Sequence, residues 1–582
     1  MSTGSFLDRV FRKKSVEELH QESIDRDIAG TSLVKSLTLL DLTCFGIAAV
    51  VGAGIFTTLG KAAADGGPAI SVLFVLIAVT CLFSALCYSE FASRIPVSGS
   101  AYTYSYAVFG ELIAWLIGWN LLMEYAIGNC VIAFSWSDYF SHILHGLKIP
   151  LPAWLETDYF SCSEAAVKAA DSIRKPEFDA KLLAVWESAP QIGGLRMILD
   201  LPALAINLTI TCLVYIGIHE SKMVSNAMVF LKLGVVLGVI VIGSFYVTPS
   251  NWVPFAPNGA TGVLQGIAAI FFTYIGFDAI STTAEECKNP KRDLPLATIF
   301  TLGICTVIYV ILALVLTGMV NYKELNVGDP LAIVFAKHNL DWLSGVISLS
   351  AVVAVASVFL VFQLGQPRIF MSMARDGLLP KQFAKIHPRF KTPSLATIIT
   401  GIAVAIPTLF LSSQIVLDLT SIGTLFAFVF VCGGILRLDA KDRAATDRGV
   451  VLEAKSGFRV PYISGRYVIP GLLILYSMFM HAMPRNHDLT RDWTPDKIPY
   501  AVFFAVFYAL AVMSWVNRWS LIPVLGVLTN LYLIAGIGHD EESLEPLFLN
   551  WLRFGVWSLA GLTVYLVYGY WNSRLADRSV KS

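Results

Sequence analysis

The sequence predicts an all-α integral membrane protein with about 14 membrane-spanning helices, and three observations carry that fold class. Of 582 residues, 56% are hydrophobic and only 14% are charged, well below the roughly 25% charge of a soluble domain; mean hydropathy is +0.67. Apolar runs of about 20 residues, the length that crosses a bilayer, recur along the whole chain. Two of these runs are interrupted near their centres by glycine, one in each half of the chain.

Taken in order, the spans fall at 38–60, 68–92, 102–136, 199–218, 223–247, 261–285, 295–319, 342–372, 394–412, 415–436, 467–484, 499–516, 520–537 and 549–571. The third and eighth exceed the bilayer's need, which implies tilt or continuation beyond it. Lys and Arg set the orientation. They crowd the loops at 288–292, 375–391 and 437–466 and are absent from the alternate loops 248–260 and 412–415. Both termini are therefore expected in the cytoplasm. The first 30 residues carry no signal-peptide pattern, in agreement with that placement. The parity makes spans 1–5 start inside and spans 6–10 start outside, an inverted repeat with four further helices after it. The expected organisation is an N-terminal segment (1–35), a first repeat (36–247, with an outer loop at 138–197) and a second repeat (248–438). A cytoplasmic loop (439–466), spans 11–14 (467–571) and a tail (572–582) follow.

Composition also excludes. Lys+Arg and Asp+Glu balance at 42 each, so there is no basic footprint for nucleic acid. Nine cysteines, most of them inside apolar runs (Cys44, Cys81, Cys87, Cys130, Cys212, Cys305, Cys432), form no Cys-x-x-Cys pair, and Cys162 stands alone in the outer loop. Neither a disulfide framework nor a metal site is expected. No nucleophile elbow, phosphate loop or metal-spaced histidine cluster occurs, so the chain is not expected to be an enzyme, and the lack of an ATP-binding module favours secondary transport.

Span 1 carries Gly52-Ala53-Gly54-Ile55-Phe56, and span 6 carries Thr273-Tyr274-Ile275-Gly276-Phe277-Asp278. Each glycine weakens a helix by about 1 kcal/mol relative to alanine, so both spans are expected to break there. Unpaired backbone at membrane depth survives only when buried in protein or lining a watery cavity. A matched pair of such breaks points to a transporter's substrate site. The span 1 break would free the amides of Ala53, Gly54 and Ile55 at the start of a second half-helix, where N–H groups and the helix dipole attract an anion. Carbonyls ending the first half-helices, near Val50-Val51 and Phe272-Thr273, would receive an ammonium. A zwitterionic α-amino acid satisfies both ends. The substrate-binding candidates are Val50, Gly52, Ala53, Gly54, Ile55, Met123, Phe272, Thr273 and Ile275. The alternative is that the glycines serve only close helix packing.

Lys232 lies mid-way along span 5. A lysine at bilayer depth costs about 2.5–3.5 kcal/mol or more and marks function by default. Burial brings a lysine's proton loss toward the physiological range, which suits a proton carrier; a fixed cation pinning spans 1, 5 and 8 is the other reading. Glu124 in span 3 is the second deep charge, able to hold a cationic group or to brace the helix. Asp278 is expected to cap the half-helix after the span 6 break or to join a proton path. Tyr274 and Phe277 are gate candidates over a bound side chain. Glu285, Glu286, Lys288 and Arg292, with Arg368 and the Arg375-Asp376-Gly377 turn, fall at the inner end, where ion pairing would help close a vestibule.

Together these motifs, with Gly118 to Ala126 in span 3, Thr283 to Pro290 and Met373 to Pro380, resemble the amino acid–polyamine–organocation superfamily, and within it the cationic amino acid transporter branch. The resemblance runs through spans 1–10. It implies a leucine-transporter-like five-plus-five inverted repeat and sodium-independent amino acid movement, with Lys232 matching the span 5 lysine that bacterial members link to proton coupling. Asn120 stands where many relatives carry Asp, which leaves cationic and neutral substrates both open. The expected function is proton-coupled amino acid symport at the plasma membrane by alternating access. An exchanger, a facilitator and a non-transporting amino acid receptor are the alternatives. The expected partners are an L-amino acid and the lipid bilayer, with the proton as coupling ion and no cofactor; a monomer is compatible with this plan.

Overall fold

The computed structural model describes residues 10–15, 18, 21, 35–52, 54–97, 99–149, 151–170, 179–216, 222–390, 392–447, 457–482, 497–537 and 547–575. Among them are 8 helices long and apolar enough to cross a membrane and 6 shorter apolar ones, which together give the number of spans read from the sequence.

Span 1 opens on a capping box, in which Asp41 accepts from the Thr38 backbone, and runs over Leu39–Val50. It stops at Val51, whose φ of −79° and ψ of 94° are extended, and resumes as Gly54–Thr58 and Leu59–Gly66. Spans 2 to 5 are Ile70–Arg94, Glu111–Gly146, Leu201–Ile216 and Lys222–Ser244. Span 6 is built from Gly259–Gln265 and Ile267–Phe272, then a break, then a tighter helix over Phe277–Glu286. Spans 7 to 10 are Pro290–Met319, Asp341–Arg375, Ser394–Phe410 and Ser413–Asp447. Proline at the first position of span 7 gives up an N–H that would have had no partner there. Spans 11 to 14 are Val468–Ala482, Ile498–Asn517, Leu521–Gly536 and Leu547–Val564, the last continuing through Asn572.

Corresponding helices of the two halves meet in pairs: span 1 with 6, 2 with 7, 3 with 8 and 4 with 9. That pairing is what a five-plus-five inverted repeat requires, and it puts both broken helices at the centre. The outer loop folds on itself as two helices, Tyr159–Ala170 and Ala180–Ser188, and a ladder pairing Gln191–Ile192 with Leu195–Arg196. Cys162 is buried there beside Ala189 and Ile198, with Trp154 and Trp186 around them. Burial pushes its thiol up to about 12, so it is an inert core residue.

The last span is bolted to the repeat. Trp115 Nε1 donates to the Gly561 carbonyl (2.8 Å) and Trp119 Nε1 to the Trp557 carbonyl (2.9 Å). Donors four residues apart on span 3 thus meet acceptors four residues apart on span 14, as antiparallel helices in contact allow. A Cβ at Gly561 would lie 2.4 Å from the Trp119 ring. Gly561→Leu is therefore expected to lower the stability of the purified protein by about 1–3 kcal/mol. A melting curve in detergent unchanged from wild type would show that this seam carries no strain. Below the seam, Glu111 is fully buried and accepts from Tyr106 (3.0 Å), Tyr565 (2.9 Å) and the Ser573 hydroxyl.

Candidate functional site

The two breaks touch. A Cβ at Gly54 would lie 2.6 Å from Thr273 Cα and 3.0 Å from its nitrogen, so the backbones of spans 1 and 6 are in contact at their interruptions. Gly276, with φ of +109°, starts the second half of span 6 against the Ala49 carbonyl at the end of the first half of span 1. Left-handed backbone beside a neighbouring main chain favours glycine on both counts. Gly52 faces Val358 of span 8, whose Cγ2 would be 2.3 Å from an added Cβ. Close packing is thus real, and it occurs at the breaks themselves.

The polar backbone atoms at span 1 divide differently from the sequence expectation. The amides of Ile55 and Phe56 both donate to the Gly52 carbonyl, at 3.1 and 3.2 Å, so Ile55 is not the free donor expected. The over-wide turn over Gly54–Thr58 brings that carbonyl under two amides at once; such turns recur at functional sites. Gly54 donates to no described residue; Ala53 lies outside the described residues. The carbonyls expected to receive an ammonium are already engaged. Tyr309 donates to the Val50 carbonyl (3.0 Å), and Lys232 Nζ donates to those of Ala48 (3.1 Å) and Val51 (3.3 Å). A helix C-terminus leaves its last carbonyls without partners, and here spans 5 and 7 supply them. Lys232 is 2% exposed, so its ammonium meets the negative end of the first half-helix.

On the span 6 side the Thr273 hydroxyl donates to the Ile270 carbonyl (2.7 Å), and Phe272 and Ile275 are buried beside it. The Ile275 amide returns to the Phe272 carbonyl at 3.3 Å, a weak bond. Tyr274 donates to the Phe74 carbonyl (3.2 Å) and its ring packs on Phe74 and Tyr309. Phe277 lies between Tyr88 and Phe428. Both gate candidates are therefore anchored to spans 2, 7 or 10.

Asp278 does not cap its helix. The cap is Gly276, and the Asp278 carboxyl instead acts electrostatically on the Glu124 carboxyl, with both Glu124 oxygens and Asp278 Oδ1 unbonded among the described residues. Both groups are at most 1% exposed. Tyr125 donates to Asp278 at 3.4 Å, and the Thr424 hydroxyl of span 10 donates to the Thr420 carbonyl at 3.0 Å. Glu124 stands in a second over-wide turn, Met123–Ile127, which rotates span 3 about this point. Met123 itself turns to span 10, against Gly423, and its carbonyl accepts from Thr420 at 3.4 Å. One turn before Glu124, Asn120 is fully buried with neither amide atom hydrogen-bonded among the described residues.

At the end of the bundle where Lys14 and Arg574 both meet Asp376, Leu37 pairs in parallel with Cys287, and the Ser36 and Leu37 amides donate to the Glu286 carbonyl. Glu286 pairs with Arg368 of span 8 at 3.4 Å, and Asp376 receives Lys14 (2.9 Å) and Tyr102 (2.7 Å). Lys288 and Arg292 make no ion pair among the described residues, and the side chain of Glu285 is outside the description. Sequence reasoning missed Tyr309; a tyrosine in mid-span was the only signal for it.

Residues 37–517 match the family model described as amino acid permease, and residues 521–573 match the one described as the C-terminus of that permease. The branched-chain amino acid permease BcaP of Bacillus subtilis is 40% identical over 81% of this chain and 92% of its own length. A methylthioribose transporter of the same bacterium is 38% identical over 82% of this chain and 94% of its length. The vacuolar cationic amino acid transporter 4 of Arabidopsis thaliana is 29% identical over 98% of this chain and 97% of its length.

Proposed function

This chain belongs to the amino acid permease family, on the cationic-amino-acid-transporter-like side of its superfamily, and we propose that it is a proton-coupled symporter of neutral α-amino acids. The observation that carries the proposal is the Lys232 ammonium on the Ala48 and Val51 carbonyls, where the first half of span 1 ends. A proton on Lys232 ties that half-helix to span 5; its loss removes the charge that strengthens both bonds and lets the half-helix tilt. The substrate carboxylate meets the Gly54 amide at the head of the second half-helix. Its ammonium goes to the span 6 side around Phe272 and Thr273, because Lys232 and Tyr309 occupy the span 1 carbonyls.

Apolar residues surround the breaks, and the two nearby acids face each other rather than a side-chain cation, which favours a neutral substrate. The 40% identical relative is named for branched-chain substrates. We place the protein in the plasma membrane with both termini cytoplasmic, on the Lys and Arg bias of its loops. Spans 1, 2, 6 and 7 rock against 3, 4, 8 and 9 to expose the site to each side in turn.

Uptake of leucine and of arginine into proteoliposomes, with and without an inward proton gradient, tests the reading. Leucine uptake driven by the gradient is the expected result. Uptake indifferent to the gradient identifies an exchanger or facilitator in which Lys232 keeps its proton, and binding without flux identifies a receptor.

Glu124 and Asp278 carry the second part of the coupling. Two carboxylates about 4 Å apart would repel by roughly 4 kcal/mol at an effective dielectric of about 20, and we assign one proton to this pair of buried acids. Glu124→Gln and Asp278→Asn are each expected to leave leucine binding within about threefold while slowing gradient-driven uptake at least tenfold, about 1.4 kcal/mol in the barrier. Equal losses in counterflow exchange, which needs no net proton movement, would assign the pair to bracing instead.

A further inference from the structure

The strap Phe11-Arg12-Lys13-Lys14 crosses the start of span 3 and is held at every residue but one. The Glu111 amide donates to the Arg12 carbonyl at 2.8 Å, and Gly110 packs so closely that a Cβ there would lie 2.7 Å from the Phe11 carbonyl. The Arg12 charge acts on buried Glu111, and Lys14 pairs with Asp376. Lys13, between them, is exposed and faces Arg437 and Lys441, which are one turn apart on span 10 and also exposed.

Although its side chain is exposed, partial desolvation first, then the charges of Arg437 and Lys441, push Lys13 below the usual lysine range. The fold therefore holds like charges together, with no ion-pair partner for them among the described residues. The acids nearest Arg437 and Lys441 in sequence, Asp439 and Asp442, turn to Arg94 at 3.8 and 3.0 Å. Arg437 lies over the Phe109 ring at 5.8 Å, on the corner that also holds the strap. It is the first charged residue after the apolar run 415–436, which sets it at the level where hydrocarbon gives way to headgroups. Phe11, 45% exposed, stands beside Lys13.

We propose that Lys13, Arg437 and Lys441 form a binding site for the phosphate headgroup of an anionic phospholipid in the adjacent leaflet. A diester phosphate supplies the missing negative charge, Arg437 can meet two of its oxygens at once, and Phe11 can enter the acyl region beneath it. The leaflet in question is the one on the side of both termini.

The test is native mass spectrometry of the full chain from nanodiscs containing equal phosphatidylglycerol and phosphatidylcholine. Wild type is expected to retain phosphatidylglycerol preferentially, with the preference falling as salt rises. K13Q/R437Q/K441Q is expected to weaken it roughly tenfold or more, since each cation near a membrane surface contributes about a factor of five, while Lys13→Arg keeps it. Equal retention of both lipids by wild type, or an undiminished preference in the triple variant, overturns the proposal. Should the triple variant fail to yield monodisperse protein, Lys441→Gln alone decides: it changes only a solvent-facing side chain, and an unaltered preference is again a refutation.

Discussion

Gly54→Ala is expected to reduce uptake roughly 100-fold while leaving a protein that can still be purified intact. The added methyl would sit 2.6 Å from Thr273 Cα, and a backbone atom cannot rotate out of the way. Separating the half-helices costs about 1–3 kcal/mol in packing. It also displaces the carboxylate site at Gly54 from the span 6 residues that complete the pocket, and each 1.4 kcal/mol or so lost in the rate-limiting state is a factor of ten. Gly52→Ala is a useful contrast, because its methyl meets the Val358 side chain rather than backbone. Val358→Ala should rescue Gly52→Ala in part and do nothing for Gly54→Ala. Near-normal leucine flux through Gly54→Ala would show that the two interruptions need not touch.

Lys232→Ala is expected to flatten the pH dependence of uptake and to abolish accumulation against a gradient. The variant removes two charge-assisted bonds of about 1.5–3 kcal/mol each from the Ala48 and Val51 carbonyls, yet Tyr309 still holds Val50. Leucine affinity should therefore survive within about tenfold even as coupling is lost. The discriminating readout is the pH profile rather than the rate. A variant that is merely slower, with the wild-type profile, would make Lys232 a structural strut and leave the carboxyl pair as the proton site.

Much of this was legible in the sequence because membrane helices announce themselves by composition. The spans and both breaks follow from hydropathy and from glycines where a helix should not have them, and Lys232 follows from the cost of burying an ammonium. Local reasoning could not say what each exposed backbone atom meets. The Val50 and Val51 carbonyls looked vacant because helix ends leave carbonyls vacant, yet Tyr309 and Lys232 reach them from other spans. Asp278 looked like a cap because Asp favours helix starts, but Gly276 takes that position and the carboxyl acts instead on Glu124, 154 residues earlier in the chain. No periodicity encodes such a meeting, nor the over-wide turn at Met123–Ile127 that swings Glu124 into place. The Trp115 and Trp119 pair had its counterpart in Trp557 and Gly561, four apart on both helices, a pattern visible only once the two spans are known to be neighbours.

Glu111 has a bearing on biosynthesis. Two of its three hydroxyl donors, Tyr565 and Ser573, come from the far end of the sequence. During synthesis this acid enters the membrane boundary hundreds of residues ahead of two of the groups that satisfy it, so this corner of span 3 stays unfinished until span 14 is translated and inserted. Completion of the last helix is thereby registered at the first repeat, and a nascent chain halted before Tyr565 would leave this buried carboxylate with Tyr106 but without its two late donors.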